Sequence, residues 1–397
     1  MNSQLTTALR RVLLFGAASV MFHVSAARAQ SVSDVLTFLV TNQSIQTGNV
    51  ARDRNAAQGT ADTIGRALLA NLATLPAPST SGAFVYKLNP ELGTVERTTQ
   101  TFGPSFVERA QTVGRNQVSL GVAFQYLRFD SLDGMNLRDG SLVTTANKFT
   151  DESTPFDAEH LTLNIDANVV TLYGTVGLTN KLDVSVLVPM VSLQVSGSRL
   201  DTYRGQTFLE ATASSNAVGL ADVIVRSKYE MYSSGNSGVA AAVDVRLPTG
   251  RQTDLLGAGT ASTKFSGIGS VESGRLSASA NAGVMVGGLA TEVNYDGAIA
   301  VAATPRLTLA TELLGRWING PGGVVNITTP NPTLAGVQTI RLTPNASSLN
   351  MVTFVPGFKW NVSDTWVLAA NVMIPFTTSG LTARVTPFIG LDYALGP

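Results

Sequence analysis

Residues 117–126 read Gln-Val-Ser-Leu-Gly-Val-Ala-Phe-Gln-Tyr. Val118, Leu120, Val122, Phe124 and Tyr126 share one parity, and Gln117, Ser119, Gly121, Ala123 and Gln125 the other. Successive side chains of a strand point to opposite faces. This stretch is therefore a strand with one continuous apolar face and one small or polar face. A membrane barrel needs both, because lipid touches the outside and the lumen lies within.

The same period recurs down the chain. Leu161, Leu163 and Ile165 alternate with Asn164, Asp166 and Asn168. Leu182, Val184, Val186 and Val188 oppose Asp183 and Ser185, and Val223, Val225, Tyr229 and Met231 oppose Asp222, Arg226, Lys228 and Glu230. Similar faces run through 239–247, 276–286, 292–301, 307–317, 352–360, 366–376 and 384–395, with a weaker segment at 259–270. In each, the apolar residues are read as lipid-facing and the polar ones as luminal. The pattern predicts about twelve strands, each near the ~10 residues a tilted strand needs to cross. Ten or fourteen would also give the even number of a single-chain barrel. A soluble β-sandwich alternates too. It would have to bury the charges on the second face, which a dry core does not tolerate.

The connections fall into two sets. Thr179-Asn180-Lys181, Ser233 to Gly238, Thr304-Pro305-Arg306 and Ser363-Asp364 are short. Ser131 to Ala158, Gly197 to Ala217, Pro248 to Ala258 and Asn319 to Asn350 are mostly long. Short periplasmic turns opposite longer outer loops are expected of outer-membrane barrels. Tyr126, Phe129, Tyr232, Trp317, Trp360, Trp366, Phe376 and Tyr393 lie near strand ends, where aromatic girdles form.

Composition narrows the classes further. The chain has 397 residues, 44% hydrophobic and 14% charged, with 27 basic and 27 acidic side chains and no cysteine. Balanced charge disfavours a nucleic-acid partner. The missing cysteines remove disulfides, thiolate metal sites and thiol catalysis. A helical span needs about 20 consecutive apolar residues, and the one apolar run, from Val12, is short and N-terminal. It follows Arg10-Arg11 and precedes Ala27-Arg28-Ala29, which together read as a signal peptide over residues 1–29.

Residues 30–115 precede the alternating region, which occupies 116–397. Ser33 to Thr41 is a short candidate helix. Ala61 to Thr74 is an amphipathic one, with Ile64, Leu68 and Leu72 spaced by four, Thr60 or Asp62 as caps, and Pro76 and Pro78 beyond its end. Two readings stay open for this segment: a plug inside the barrel, or a periplasmic extension that tethers or assists assembly. The fold expected is thus all-β: a transmembrane antiparallel barrel of about twelve strands with a partly helical N-terminal segment.

Two motif blocks carry a family resemblance. One holds Gly219-x-x-Asp222, Lys228-Tyr229, Leu247-Pro248-Thr249-Gly250 and Leu256-Gly257-x-Gly259. The other holds Phe102-Gly103-Pro104, Glu108-Arg109 and Gly114. Together they resemble the outer-membrane β-barrel family named for the meta-cleavage pathway of phenol degradation, itself similar to long-chain fatty-acid and aromatic-hydrocarbon channels. The C-terminal Phe388-x-Gly390-x-x-Tyr393-x-Leu395 resembles the last-strand signal read by the barrel-assembly machinery, though Gly396 and Pro397 follow it. The resemblance implies the bacterial outer membrane and passage of small hydrophobic compounds, aromatic ones included. The polar second face supports a rival, a general water-filled porin. Long loops support a third class, a structural or surface-binding barrel.

The luminal charges are the candidate site: Arg226 and Lys228 one hairpin from Asp244 and Arg246, Glu292 and Asp296 similarly placed to Arg316, and Glu312 and Lys359 nearby. They can brace the lumen, or form a constriction that screens solutes. Pro189 removes one ladder hydrogen bond and is a candidate strand kink, where an apolar solute can leave sideways. Pro189, Pro248 and Pro375 each look like the end of an upward strand. Enzyme chemistry is disfavoured. His160 is the single histidine after signal cleavage and reads as a rim residue. Asp151, Glu152 and Asp157 offer oxygens to Ca²⁺, at a spacing that matches no ligand loop. No cofactor is expected.

Overall fold

The computed structural model describes residues 31–40, 58–59, 61–62, 64–70, 75–81, 86–89, 94–97 and 99–395, apart from 235–236, 321–322, 346 and 364. The expected signal peptide and Gly396-Pro397 lie outside the described residues. A helix α1 (Val32–Val40) opens the described chain. A second helical segment covers residues 58–70 where described. A small hairpin follows, β1 (Tyr86–Asn89) and β2 (Thr94–Arg97). Then come β3 (Val118–Leu132), β4 (Met135–Asn136), β5 (Leu142–Phe149), β6 (Asp157–Gly177), β7 (Leu182–Tyr203), β8 (Gln206–Leu220), β9 (Ile224–Ser234) and β10 (Ser237–Arg246). The rest are β11 (Ser262–Ser273), β12 (Leu276–Gly287), β13 (Thr291–Thr304), β14 (Leu307–Asn319), β15 (Gly323–Pro330), β16 (Val337–Asn345), β17 (Leu349–Ser363), β18 (Trp366–Pro375), β19 (Leu381–Ala383) and β20 (Thr386–Leu395).

Twelve strands close the ring, in the order β3, β6, β7, β9, β10, β11, β12, β13, β14, β17, β18, β20, with β20 returning to β3. Every pairing is antiparallel, so all turns of one kind lie at one end. Residues 178–181, 274–275 and 305–306 lie at one end, the turn end, and the connections from β3 to β6, β7 to β9, β10 to β11, β14 to β17 and β18 to β20, with the short 288–290, lie at the other, the loop end. No helix among the described residues is long and apolar enough to cross a membrane. The strands instead carry a broad outward apolar surface, including Val122, Phe124, Leu172, Val186, Tyr229, Phe265, Ile299, Leu309, Trp360 and Ile389. A soluble monomer does not expose such a continuous apolar belt.

Several expectations change. Leu161, Leu163 and Ile165 are fully buried inside the ring, while Asn164 faces outward and is exposed. The same period holds, with the faces exchanged. β6 and β7 run 21 and 22 residues, about twice what crossing requires. Their upper halves stand beyond the apolar belt, so water bathes the outer face and protein packs the inner one. Phe129 follows the same rule, lying inside rather than in a girdle. Arg384 is exposed in the connection before β20, outside the lumen.

The expected loop 197–217 is mostly strand, since β7 and β8 form a hairpin standing above the ring. The expected loop 319–350 contains the β15–β16 hairpin, which pairs through β16 with β5 and so with β6. Pro189 does not end its strand. β7 continues to Tyr203, and Pro189 pairs with Thr171 of β6. On its other side the neighbour changes from β8 to β9 through a one-residue bulge at Ala221–Val223, where Ala221 N–H bonds the Pro189 carbonyl at 2.9 Å. Asp62 lies within the helical segment, accepting from Gln58 at 2.8 Å, and is not its cap.

Candidate functional site: an interior filled from two ends

At the turn end, residues 99–113 arch through the ring and the wall supplies their hydrogen bonds. An irregular backbone buried from water needs a partner for each amide and carbonyl. Glu312, fully buried, accepts three amides, from Ser105 (2.6 Å), Phe106 (2.9 Å) and Val107 (2.8 Å). Thr308 accepts from Phe102, and Ser270 from Ala110, at 3.0 and 3.1 Å. Asp183 accepts from Val113 at 3.0 Å. Lys359 donates to the Pro104 carbonyl (3.2 Å), and Lys228 to Gln111 (2.8 Å) and Arg109 (3.2 Å). Asn281, oriented to satisfy both groups, brackets the Glu108 peptide at 2.8 and 3.1 Å.

Charge completes the clamp. Arg226 holds Asp244 through two bonds of 2.7 and 2.8 Å and also donates to Glu108. Lys228 stands 3.6 Å from Glu108 and 3.7 Å from Asp183. Glu108 further accepts from Thr80 and Ser81, which ties the arch to residues 75–81. Burial pushes the Glu108 carboxyl up, but Arg226, Lys228 and these donors outweigh it and bring it to about 2. Arg109 donates to the Ser81 and Thr101 carbonyls, and a Cβ on Gly103 would sit 2.6 Å from its Nε. The Phe-Gly-Pro and Glu-Arg motif residues are thus the arch itself.

At the loop end the inner wall is apolar. Leu161, Leu163, Ile165, Val169, Val191, Leu193 and Val195 form one cluster with α1 and the second helical segment. Helix α1 buries Val32, Val35, Leu36, Leu39 and Val40, a stripe at helical spacing. Ser31 and Asp34 close its N-terminus by reciprocal bonds of 3.1 and 3.2 Å. Gly197 makes room for it: a Cβ there would come 2.9 Å from a Leu39 methyl. The helices satisfy their own backbones except at their ends. Two wall arginines donate to helix carbonyls, Arg199 to Leu39 near the end of α1 (3.2 Å) and Arg316 to Ala70 of the second segment (3.3 Å). Each is paired with a wall glutamate, Arg199 with Glu159 at 3.8 Å and Arg316 with Glu292 at 2.9 Å.

The Leu-Pro-Thr-Gly block builds the loop beside the bulge. Asp222, wholly buried, accepts from Gly250 (3.0 Å) and Ala258 (2.8 Å). Thr249 accepts from Val223 and donates to Ala221. A Cβ on Gly257 would meet Asp222 at 2.4 Å, and one on Gly250 would meet Gly257 at 2.7 Å. Leu255 and Leu256 then tuck into the apolar cluster.

Between arch and helices, around Leu75 and Pro76, cavities remain. One of about 100 Å³ is lined by Asp244, Arg246, Lys264, Glu292, Asp296 and Arg316. Another, of about 80 Å³, is lined mainly by Leu127, Phe129, Leu314, Met351 and Met373. Pro189 borders a smaller one with Leu187, Val191 and Ile224. The luminal candidates therefore divide: Arg226, Lys228, Glu312 and Lys359 hold the arch, and Arg246, Glu292, Asp296 and Arg316 line the charged cavity, which Asp244 also reaches. Sequence reasoning missed, as site residues, Asn281, Asp183, Glu159 and Arg199, whose partners are main-chain groups or side chains tens of residues away in sequence. Glu108 was present as a motif residue without a role. His160 Nδ1 lies 2.8 Å from the Gly140 carbonyl.

A closed ring of twelve antiparallel strands with an outward apolar belt is the architecture of a transmembrane β-barrel. Residues 139–312 match the family model described as "Putative MetA-pathway of phenol degradation", so the resemblance read from the motifs is borne out over that span. Among solved structures, an outer membrane channel from Pseudomonas putida F1 is similar at a TM-score of 0.48 and 12% identity, covering 72% of this chain and 98% of that one. The NanC porin follows at 0.35 and 8%, covering 68% and 98%. The KdgM porin follows at 0.33 and 10%, covering 60% and 96%. No curated protein matches the sequence.

Proposed function

We propose that this protein is a passive outer-membrane channel for small hydrophobic compounds, aromatic ones among them, closed in the state described by its residues 30–115. The loop end faces outward, and β20 is the strand offered to the barrel-assembly machinery. The reading rests on one observation: the inner wall at the loop end is lined by leucine, isoleucine and valine from β6 and β7. Water gains nothing from such a wall, whereas an apolar solute does. The cavities about Leu75 and Pro76 offer it places to rest. The luminal charges hold the closing segment and screen what passes.

Ionic conductance of refolded residues 30–397 in a planar bilayer tests the closure. Near silence from inserted protein is expected, and large steady openings would overturn it. Uptake of an apolar dye into liposomes tests the cargo, with no acceleration over protein-free vesicles as the contrary result. The charged cavity favours a second reading, a water-filled pore. That reading gains if removing residues 30–115 speeds sugar entry and leaves dye entry unchanged.

A further inference from the structure

Above the apolar cluster, the inner face of the loop end turns acidic. Asp157 and Glu159 of β6 stand beside Asp201 of β7, with Glu159 in register with Asp201 and Asp157 in register with Tyr203. Asp157 and Asp201 are thus diagonal neighbours on one face. Asp157 is 2% exposed. One of its oxygens accepts from Asn147 at 2.7 Å, and the other, Oδ1, is buried with no donor. Asp201 Oδ1 is buried in the same way. Glu210 adds a further negative charge near Asp201. Arg199 is the neighbouring base, and it is engaged with Glu159 and the α1 carbonyls.

Asp201 as a whole is only partly buried, but two buried acceptor oxygens on neighbouring positions, each without a donor, are costly unless something positive joins them. We propose that Asp157 and Asp201 bind a divalent cation, Ca²⁺ by preference, at the outer rim of the barrel. Hard carboxylate oxygens suit that ion, and Ca²⁺ tolerates irregular geometry better than Mg²⁺ does. No group of three or more ligating side chains gathers among the described residues, so the ion keeps much of its water. Affinity then falls in the weak range of extracellular modules, about 10⁻⁴–10⁻³ M. The ion joins β6 to β7 just above the Arg199 contact that ends α1.

The test uses refolded residues 30–397 in detergent at neutral pH, with Ca²⁺ itself as the probe. Titration calorimetry should show one ion per chain. The thermal midpoint should rise by about 2–4 °C from chelator to millimolar CaCl2, and Asp201→Asn should abolish the rise. A wild type indifferent to Ca²⁺ overturns the proposal, as does a full rise in the variant. Stabilisation by acid with no response to Ca²⁺ also overturns it, because the two carboxyls then share a proton. The wild-type titration decides the matter even if the variant fails to fold.

Discussion

The two ends of the lumen hold the same segment by opposite chemistry. At the turn end the enclosed chain is irregular, and the wall answers with Glu312, Asn281, Lys228 and Lys359, group by group. At the loop end the enclosed chain is helical, and the wall is mainly leucine, isoleucine and valine, with two arginines donating to helix carbonyls. The difference follows from where backbone bonds are made. A helix closes its own ladder and asks only for apolar contact, while an arch must borrow every partner.

The contrast can be broken at either end. Removing residues 30–115 takes away both fillings. It should raise conductance by on the order of tenfold or more, because a ring wider than eight strands is not filled by its own side chains. Glu312→Ala should strip acceptors from three buried amides at about 1–3 kcal/mol each. It should convert silence into flickering openings, with Glu312→Gln milder; equal silence in all three proteins would show that the arch does not depend on this carboxylate. On β6, Leu163→Asn should cost about 2–5 kcal/mol and expose α1 to protease. Asn164→Leu, one residue away on the wet face, should change little. The reverse ranking would restore the original facing of the strand. The smallest effect concerns pH. Glu108 lies below its ordinary 4.5, at about 2. Its stabilisation is therefore complete above 4.5 and is lost as pH falls towards 2. Conductance should stay flat under mild acid and rise only in that lower window.

Much of this fold was legible because β9 to β14 and β17 to β20 are short enough to cross once, with lipid on one face. β6 misled because alternation fixes a period without saying which parity is inside. Its Leu161–Ile165 run looks the same whether the greasy neighbour is lipid or a helix. Pairs such as Arg226 with Asp244 and Glu292 with Arg316 could be guessed from hairpin spacing. Their second partners could not, since Glu108 and the Ala70 carbonyl lie far off in sequence. Pro189 reads as a stop only if the strand is assumed to end at the membrane surface.

The seam between β3 and β20 joins Val118 to Leu395, the first and last staves of the ring. Residues 32–40, 64–69 and 101–113 precede both, yet they sit inside it. Either the ring zips shut around a chain already lying in its bore, or the segment is reeled in afterwards. Zipping would make the segment a mandrel on which the barrel is wound, and it would set the order of events. The arch at Glu312 would form while β20 still sought its partner, leaving the longest-range contact to form last.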